Sequence, residues 1–291
     1  MSASTYLHAH PSIPLACVQV LTRISVESAC VLTTDIVLQA AGQAGLEALS
    51  FVLKRLDREE GAVSVDPDRA LYPASMLKTP LALAVYSLVQ AGEFRLTDAF
   101  EVTQANMTVN DKPSPLVPGY RAPLGELIEL MITRSDNVAT NMLYDVVGRG
   151  RATEIVQREF GLKNTAFRRK LSGSLPLIDD PEWDGTHRNT HPASDAAALY
   201  ELIARDRVPF ARALRETLDR QEWNNKLSGA LLPADRFAHK TGDTDEVTHD
   251  GGILYTAEGA SYVIVVYTGM ESTDENNARF APFMRALRAS L

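Results

Sequence analysis

Tyr72-Pro73-Ala74-Ser75-Met76-Leu77-Lys78-Thr79-Pro80 opens an apolar run that continues through Leu81, Leu83, Ala84, Val85, Leu88 and Val89 to Gly92. A helix that is apolar nearly all round is buried between layers rather than laid on a surface. Pro80 lacks a backbone donor and is best tolerated near a helix start, which places the N-terminus of this helix close to Ser75. Helical positions three apart share a face, so the Ser75 hydroxyl and the Lys78 amine are within reach of each other. A serine becomes a nucleophile only when a base takes its proton, and a lysine can be that base only if burial or a second cation lowers its pKa. The free N–H groups at a helix N-terminus also favour an oxyanion. Taken alone, the pair fits equally an N-capping serine beside a solvated lysine.

Ser135-Asp136-Asn137 stands 60 residues after Ser75, and Lys240-Thr241-Gly242 stands 105 residues after Ser135. The set S-x-x-K, S-D-N and K-T-G, in this order and at domain-scale separations, is the signature of class A β-lactamases and penicillin-binding proteins. The chain therefore resembles the class A β-lactamase-like branch of the penicillin-recognising serine enzymes, from about Leu46 to the C-terminus. Val117-Pro118-Gly119, the stretch Leu124-Gly125-Glu126-Leu127-Ile128-Glu129-Leu130-Met131-Ile132 and His249-Asp250-Gly251-Gly252-Ile253 extend the likeness.

The resemblance implies roles residue by residue. Ser75 would be the nucleophile, and Lys78 its base or a partner in a proton relay. Ser135 would pass a proton between the lysines and a leaving amine. Asn137 would hold a substrate amide through a side chain that both donates and accepts. Lys240 would face a substrate carboxylate and depress the Lys78 pKa, while Thr241 bonds the same carboxylate. Gly242 would let the substrate backbone come close, and Asp243 would lend a second oxyanion-hole N–H with its side chain pointing elsewhere. Ser135-Asp136-Asn137 is also a turn by composition, and both readings hold if the turn projects into the crevice.

The pattern breaks at deacylation. The family carries an E-x-x-L-N segment whose glutamate activates the hydrolytic water. Collinear counting from Ser75 lands near Leu171, in Arg168-Arg169-Lys170-Leu171-Ser172, where no carboxylate stands. Glu159-Phe160-Gly161-Leu162-Lys163 matches only in part. Asp180-Pro181-Glu182-Trp183-Asp184 is a closer echo, eight residues before Thr190-His191-Pro192, which resembles the loop exit. Asp180 or Glu182 would be a displaced water-activating carboxylate; the alternative is a solvated acidic loop with Trp183 packed beneath it.

The order of elements gives the fold class. A short helix led by Thr33 or Thr34 and stopped at Gly42 and Gly45 precedes a strand over 48–56, a hairpin turn at Asp57-Arg58-Glu59-Glu60-Gly61 and a second strand. Helical patterns then run through Leu124–Val147, Glu154–Phe160, Pro192–Ala204 and Phe210–Arg220. Strands return at the K-T-G, then at Gly251–Tyr255 and Tyr262–Thr268, and a terminal helix spans Glu275–Leu291. The expected architecture is α/β (α+β), an antiparallel sheet flanked by N- and C-terminal helices with an inserted all-helical subdomain. The expected division is a poorly ordered segment 1–30, an α/β subdomain of 31–78 plus 236–291, and an all-α insertion over 79–235, with the active site in the crevice between the last two.

Composition narrows the function classes. With 291 residues, 45% hydrophobic and 23% charged, the chain suits one large or two interleaved domains. A net charge of −8, without a Lys/Arg run, argues against nucleic-acid binding, and no stretch reaches the roughly 18 apolar residues of a membrane helix. Cys17 and Cys30 do not define a disulfide framework and read as a reduced pair. His8 and His10 read as incidental, and His239 and His249 as structural. The six histidines form no zinc pattern, so no metal or cofactor is expected. Met1–Pro14 lacks a basic n-region and no cleavage site follows. A cytoplasmic location is expected for the chain as it stands, a periplasmic or secreted one if its natural start differs.

The expected function is a serine hydrolase working through a Ser75 acyl-enzyme on small molecules, most simply a β-lactamase-like one and slow if the deacylating base is missing. The alternatives are a D-Ala-D-Ala peptidase-like or esterase-like hydrolase, and a penicillin-binding or sensing module without turnover. The oligomeric state is not readable.

Overall fold

A computed structural model describes residues 32–58, 61–173, 175–288 and 291; His8, His10, Cys17 and Cys30 lie outside them. The chain begins with α1 (Thr34–Ala44), capped by the Thr33 side chain at one end and by left-handed Gly45 at the other. Strands β1 (Ser50–Arg55) and β2 (Val63–Val65) follow. A 3₁₀ turn over Ala74–Leu77 leads into α2 (Lys78–Gln90). Two short strands, β3 (Ala99–Glu101) and β4 (Arg121–Pro123), precede α3 (Leu124–Thr133), α4 (Asn137–Val147) and α5 (Arg149–Phe160). Next come α6 (Ala193–Ala204), α7 (Ala211–Asp219), β5 (Arg236–Asp243), β6 (Thr248–Tyr255) and β7 (Ser261–Thr268). The chain closes with α8 (Asp274–Ala278) and α9 (Phe280–Arg288).

The main sheet is antiparallel in the order β2-β1-β7-β6-β5. Strand side chains alternate between faces, and here both faces are covered. Val52, Ala238, Ile253, Val263, Val265 and Tyr267 join a core with the helices of the middle segment. Phe51, Leu53, Phe237, Leu254, Ile264 and Val266 join a second core with α1 and α9. Double coverage explains why Tyr262–Tyr267 reads as an unbroken apolar run instead of an alternating one. Nearly all of α2 is buried, Lys78 and Thr79 included, as its all-round apolar sequence requires.

Three expectations need correction. The segment 79–235 is not all helical, because β3 and β4 pair as Ala99↔Pro123, Phe100↔Ala122 and Glu101↔Arg121; strands this short carry no readable alternation. The strand bearing the K-T-G starts at Arg236, ahead of Lys240, its first half masked by a charge and a histidine. The terminal helix is two helices with Arg279 between them. Pro282 cannot donate, and its ring would meet the carbonyl four residues back, that of Ala278, where α8 ends.

Candidate active site

Ser75 lies in the 3₁₀ turn, one step before α2 itself, and Ala74 before it takes a positive φ of 47°. A left-handed alanine costs about 1–2 kcal/mol, so neighbours must hold it. Two do so. Strand β5 runs directly against the turn: a Cβ on Gly242 would come within 3.1 Å of the Pro73 carbonyl oxygen and of Met76 Cγ, and 3.2 Å of Ala74 Cβ. From β6, His249 Nε2 donates to the Tyr72 carbonyl at 2.8 Å while its ring stacks on Tyr267. Burial lowers the His249 pKa to about 4, and Nδ1 lies 2.8 Å from the Thr248 carbonyl oxygen and 3.2 Å from the Thr268 nitrogen.

Lys78 gives its amine to the α3–α4 connection. Its Nζ lies 2.5 Å from the Ser135 carbonyl oxygen, 2.8 Å from Asn137 Oδ1 and 3.1 Å from Ser135 Oγ. Ser135 has a φ of 59°, a left-handed kink that aims its carbonyl and hydroxyl at the same amine. Asp136 fixes the kink by capping α4 through the Ala139 N–H at 2.9 Å. Lys240 Nζ approaches from β5, 3.0 Å from the same Ser135 Oγ and 3.0 Å from the Thr241 carbonyl. The Ser75 hydroxyl has no hydrogen-bond partner among the described residues and faces the cleft, so the expected Ser75–Lys78 contact is absent.

The proton inventory follows from these partners. A carbonyl and an amide oxygen only accept, so they take two Lys78 N–H bonds. A neutral amine has no third hydrogen, and its lone pair is left for the Ser135 hydroxyl. With Lys78 as a neutral amine, Ser135 donates to it and accepts from Lys240, a directed chain Lys240 to Ser135 to Lys78; as an ammonium, Lys78 donates to all three oxygens. The electrostatics agree. Burial, then the charge of Lys240, holds the Lys78 pKa well below the usual lysine value, against the pull of Asp136 and Asp111. Burial brings Lys240 down to about 7; Asp243 and Asp250 oppose the shift and Lys226 adds to it.

The cleft has a volume of about 720 Å³ and brings Ser75, Ser135, Asn137, Thr241 and Asp243 onto one surface with Leu171 and Trp223. Asn137 is fixed at both ends, with Oδ1 on Lys78 and Nδ2 donating to the Val109 carbonyl at 3.1 Å. Asp243 turns its carboxylate away from Ser75, into a bond from Lys226 Nζ at 2.6 Å and one from Ser272 Oγ at 2.5 Å. The structure places neither Asp180 nor Glu182 in this cleft. Buried Asp180 accepts from the Arg149 guanidinium and from the Lys170 N–H at 2.7 Å. Burial raises its pKa, but the Arg149 and Lys170 bonds outweigh this and lower it. Glu182, 77% exposed, sits 3.0 Å from the same Arg149. His239 pairs with buried Asp250 at 2.7 Å, and neither His239 nor His249 lines the cleft. Among the described residues, no group of three or more His, Cys, Asp or Glu could hold a metal ion, and no helix is long and apolar enough to cross a membrane.

Lys226 escaped the sequence reading, since a lysine outside any motif has no signal. It is buried, and its Nζ also reaches the His249 carbonyl at 2.9 Å and the Gly242 carbonyl at 3.3 Å, clamping the end of β5. Removing one partner of a buried ion pair costs about 3–5 kcal/mol, less here because the Asp243 side chain is 34% exposed. Lys226→Met is expected to lower stability by about 2–3 kcal/mol in urea denaturation. Adding Asp243→Ser should recover part of that loss; strictly additive losses would show that the two do not act as a pair.

Residues 34–287 match the β-lactamase enzyme family. The extended-spectrum β-lactamase PER-1 of Pseudomonas aeruginosa is 23% identical over 75% of this chain and 74% of its own length. The D-alanyl-D-alanine carboxypeptidase DacF of Bacillus subtilis (strain 168) is 24% identical over 80% of this chain and 60% of its own. A mutant of PBP-A, solved as an acyl-enzyme complex with penicillin G, aligns with a TM-score of 0.74 and 25% identity over 87% of this chain and 95% of that one. With the match to the family covering most of its length, and with the antiparallel sheet and helices described above, the chain belongs to the β-lactamase enzyme family of serine hydrolases and penicillin-binding proteins.

Proposed function

We propose that this protein opens β-lactam amides through a Ser75 acyl-enzyme and releases the acyl group slowly. The observation that carries the reading is the hydrogen-bonded chain from Lys240 through Ser135 to Lys78, set beside an unpartnered Ser75 hydroxyl in the cleft. In the acylation step Ser75 Oγ attacks the lactam carbonyl carbon and its proton passes to the neutral Lys78 amine. The C–N bond then breaks, and the leaving nitrogen takes a proton from the Ser135 hydroxyl, which is replenished from Lys78 or Lys240. Backbone N–H groups of Ser75 and Asp243 would stabilise the oxyanion, and Thr241 with Lys240 would receive the substrate carboxylate.

Slow release follows from the carboxylates. Asp180 and Glu182 are committed to Arg149 outside the cleft. Within it, Asp243 is paired with Lys226 and Glu246 with Arg188, which leaves Asp111 and Asp245 as the lining carboxylates without an ion pair among the described residues. Leu171 lines the cleft where the count from Ser75 places the family's glutamate, its backbone pinned by Asn141 at 2.8 and 2.9 Å. A peptide ending in D-Ala-D-Ala is a second substrate reading, favoured by the likeness to the carboxypeptidase DacF; release of D-alanine from a model peptide separates it from the first.

Intact-protein mass spectrometry after mixing with a penicillin tests the nucleophile. A persistent adduct is expected on the wild type and none on Ser75→Ala at unchanged fold; labelling of the variant would overturn the assignment. Deacylation is tested by Leu171→Glu, which supplies a carboxylate at a rigidly held position. It should shorten the acyl-enzyme lifetime by on the order of 10²–10⁴. An unaltered lifetime, together with a longer one in Asp111→Asn, would instead make Asp111 the water-activating group.

A further inference from the structure

Behind the loop that forms one wall of the cleft lies a second groove of about 790 Å³. One side is the segment Asp68–Tyr72, and the other is Lys163, Arg168 and the stretch from Arg188 to Pro192. The chain carries 37 acidic residues against 29 basic ones, yet this groove reverses the sign. Arg69, Lys163, Arg168 and Arg188 line it, opposed by Asp68, whose carboxylate accepts from Ser194 Oγ. His191 at its floor is buried, and burial lowers its pKa to about 3, so it adds a neutral polar group and no charge.

Two of the four cations are not consumed internally. Lys163 and Arg168 are exposed and make no ion pair or side-chain hydrogen bond among the described residues. Arg69 bonds Asp66 at 2.8 Å through Nη2, but its buried Nε has no partner. Planar guanidinium forks bind the oxygens of carboxylates and phosphates in pairs. The groove is also joined to the cleft, because Tyr72 and Arg188 line both. The Arg188 guanidinium lies 4.1 Å from the centre of the Tyr72 ring and 2.8 Å from Glu246 at the cleft rim.

We propose that this groove is a second, non-acylating binding site for a multivalent oxyanion, with phosphate groups or clustered carboxylates gripped by Arg69, Lys163, Arg168 and Arg188. Arg188, drawn between such an anion and Glu246, links occupancy of the groove to the shape of the cleft rim. The site needs no chemistry at Ser75 and stands or falls apart from the acyl-enzyme.

Calorimetric titration of the full chain with inorganic pyrophosphate and, separately, with citrate tests it. Saturable binding of one or both is expected, weakening as salt is raised. Pyrophosphate alone would assign phosphate chemistry, citrate alone carboxylate chemistry, and both a site that reads charge. Lys163→Ala/Arg168→Ala should weaken the binding at least tenfold. Arg151→Ala/Arg212→Ala, the same change of charge on remote exposed positions, should leave it within twofold, and so should Thr241→Val in the cleft. Binding of neither anion, equal weakening by the two double variants, or loss in Thr241→Val would overturn the proposal.

Discussion

The hydroxyl of Ser135, held between two buried lysine amines, is the constraint on which the site depends. Two ammonium groups taken out of water on either side of one hydroxyl would repel each other at low dielectric and carry the desolvation cost of both. Relief comes from giving up a proton, and the partners decide which amine does so. Lys78 meets two oxygens that can only accept and a hydroxyl that can donate or accept, and burial with the charge of Lys240 favours its neutral form. Lys240 has Asp243 and Asp250 to hold its charge up and Lys226 to push it down. Burial and position alone thus suit Lys78 to the base and Lys240 to the proton source of the proposed mechanism.

Everything around this triad serves to bring its parts from distant stretches of chain to one point. Helix α2 must be buried to desolvate Lys78, and the sheet faces supply two separate cores that leave β5 at an edge. The edge is where Lys240 and Thr241 can meet both the α3–α4 kink and the Ser75 turn. Gly242 carries a second duty besides access for a ligand. With Pro73, Ala74 and Met76 only just clear of its missing Cβ, it is the contact that lets the strained turn rest on the strand. Lys226 and His249, behind the same strands, tie its end and the Tyr72 carbonyl in place.

Much of this was legible in the chain, for identifiable reasons. The burial of α2 follows from an apolar run with no polar stripe, and α1 from its threonine and glycine caps. The motifs at Ser75, Ser135 and Lys240 mark the residues that the structure gathers around the cleft. Contacts that depend on side-chain direction were not legible. Spacing puts Ser75 and Lys78 on one face, but it cannot show that Asn137 and the Ser135 carbonyl outbid the Ser75 hydroxyl for the amine. Asp180 looked like a cleft carboxylate because Arg149, its partner, lies 31 positions earlier on α5. The β3–β4 pair is too short for a period, and Lys226 and the basic groove are assembled from scattered single residues that no local pattern announces.

The most direct measurement is an NMR titration of the lysine side-chain signals, with Lys78 and Lys240 assigned through Lys78→Met and Lys240→Met variants. The account predicts a Lys240 transition at about 7 and a Lys78 transition well below the ordinary lysine range. In the Lys240→Met protein, the Lys78 transition should move upward as the neighbouring charge disappears. Two transitions near the reference lysine value of about 10.4 would mean that both amines stay charged at neutral pH, and the proton chain through Ser135 could not run as described.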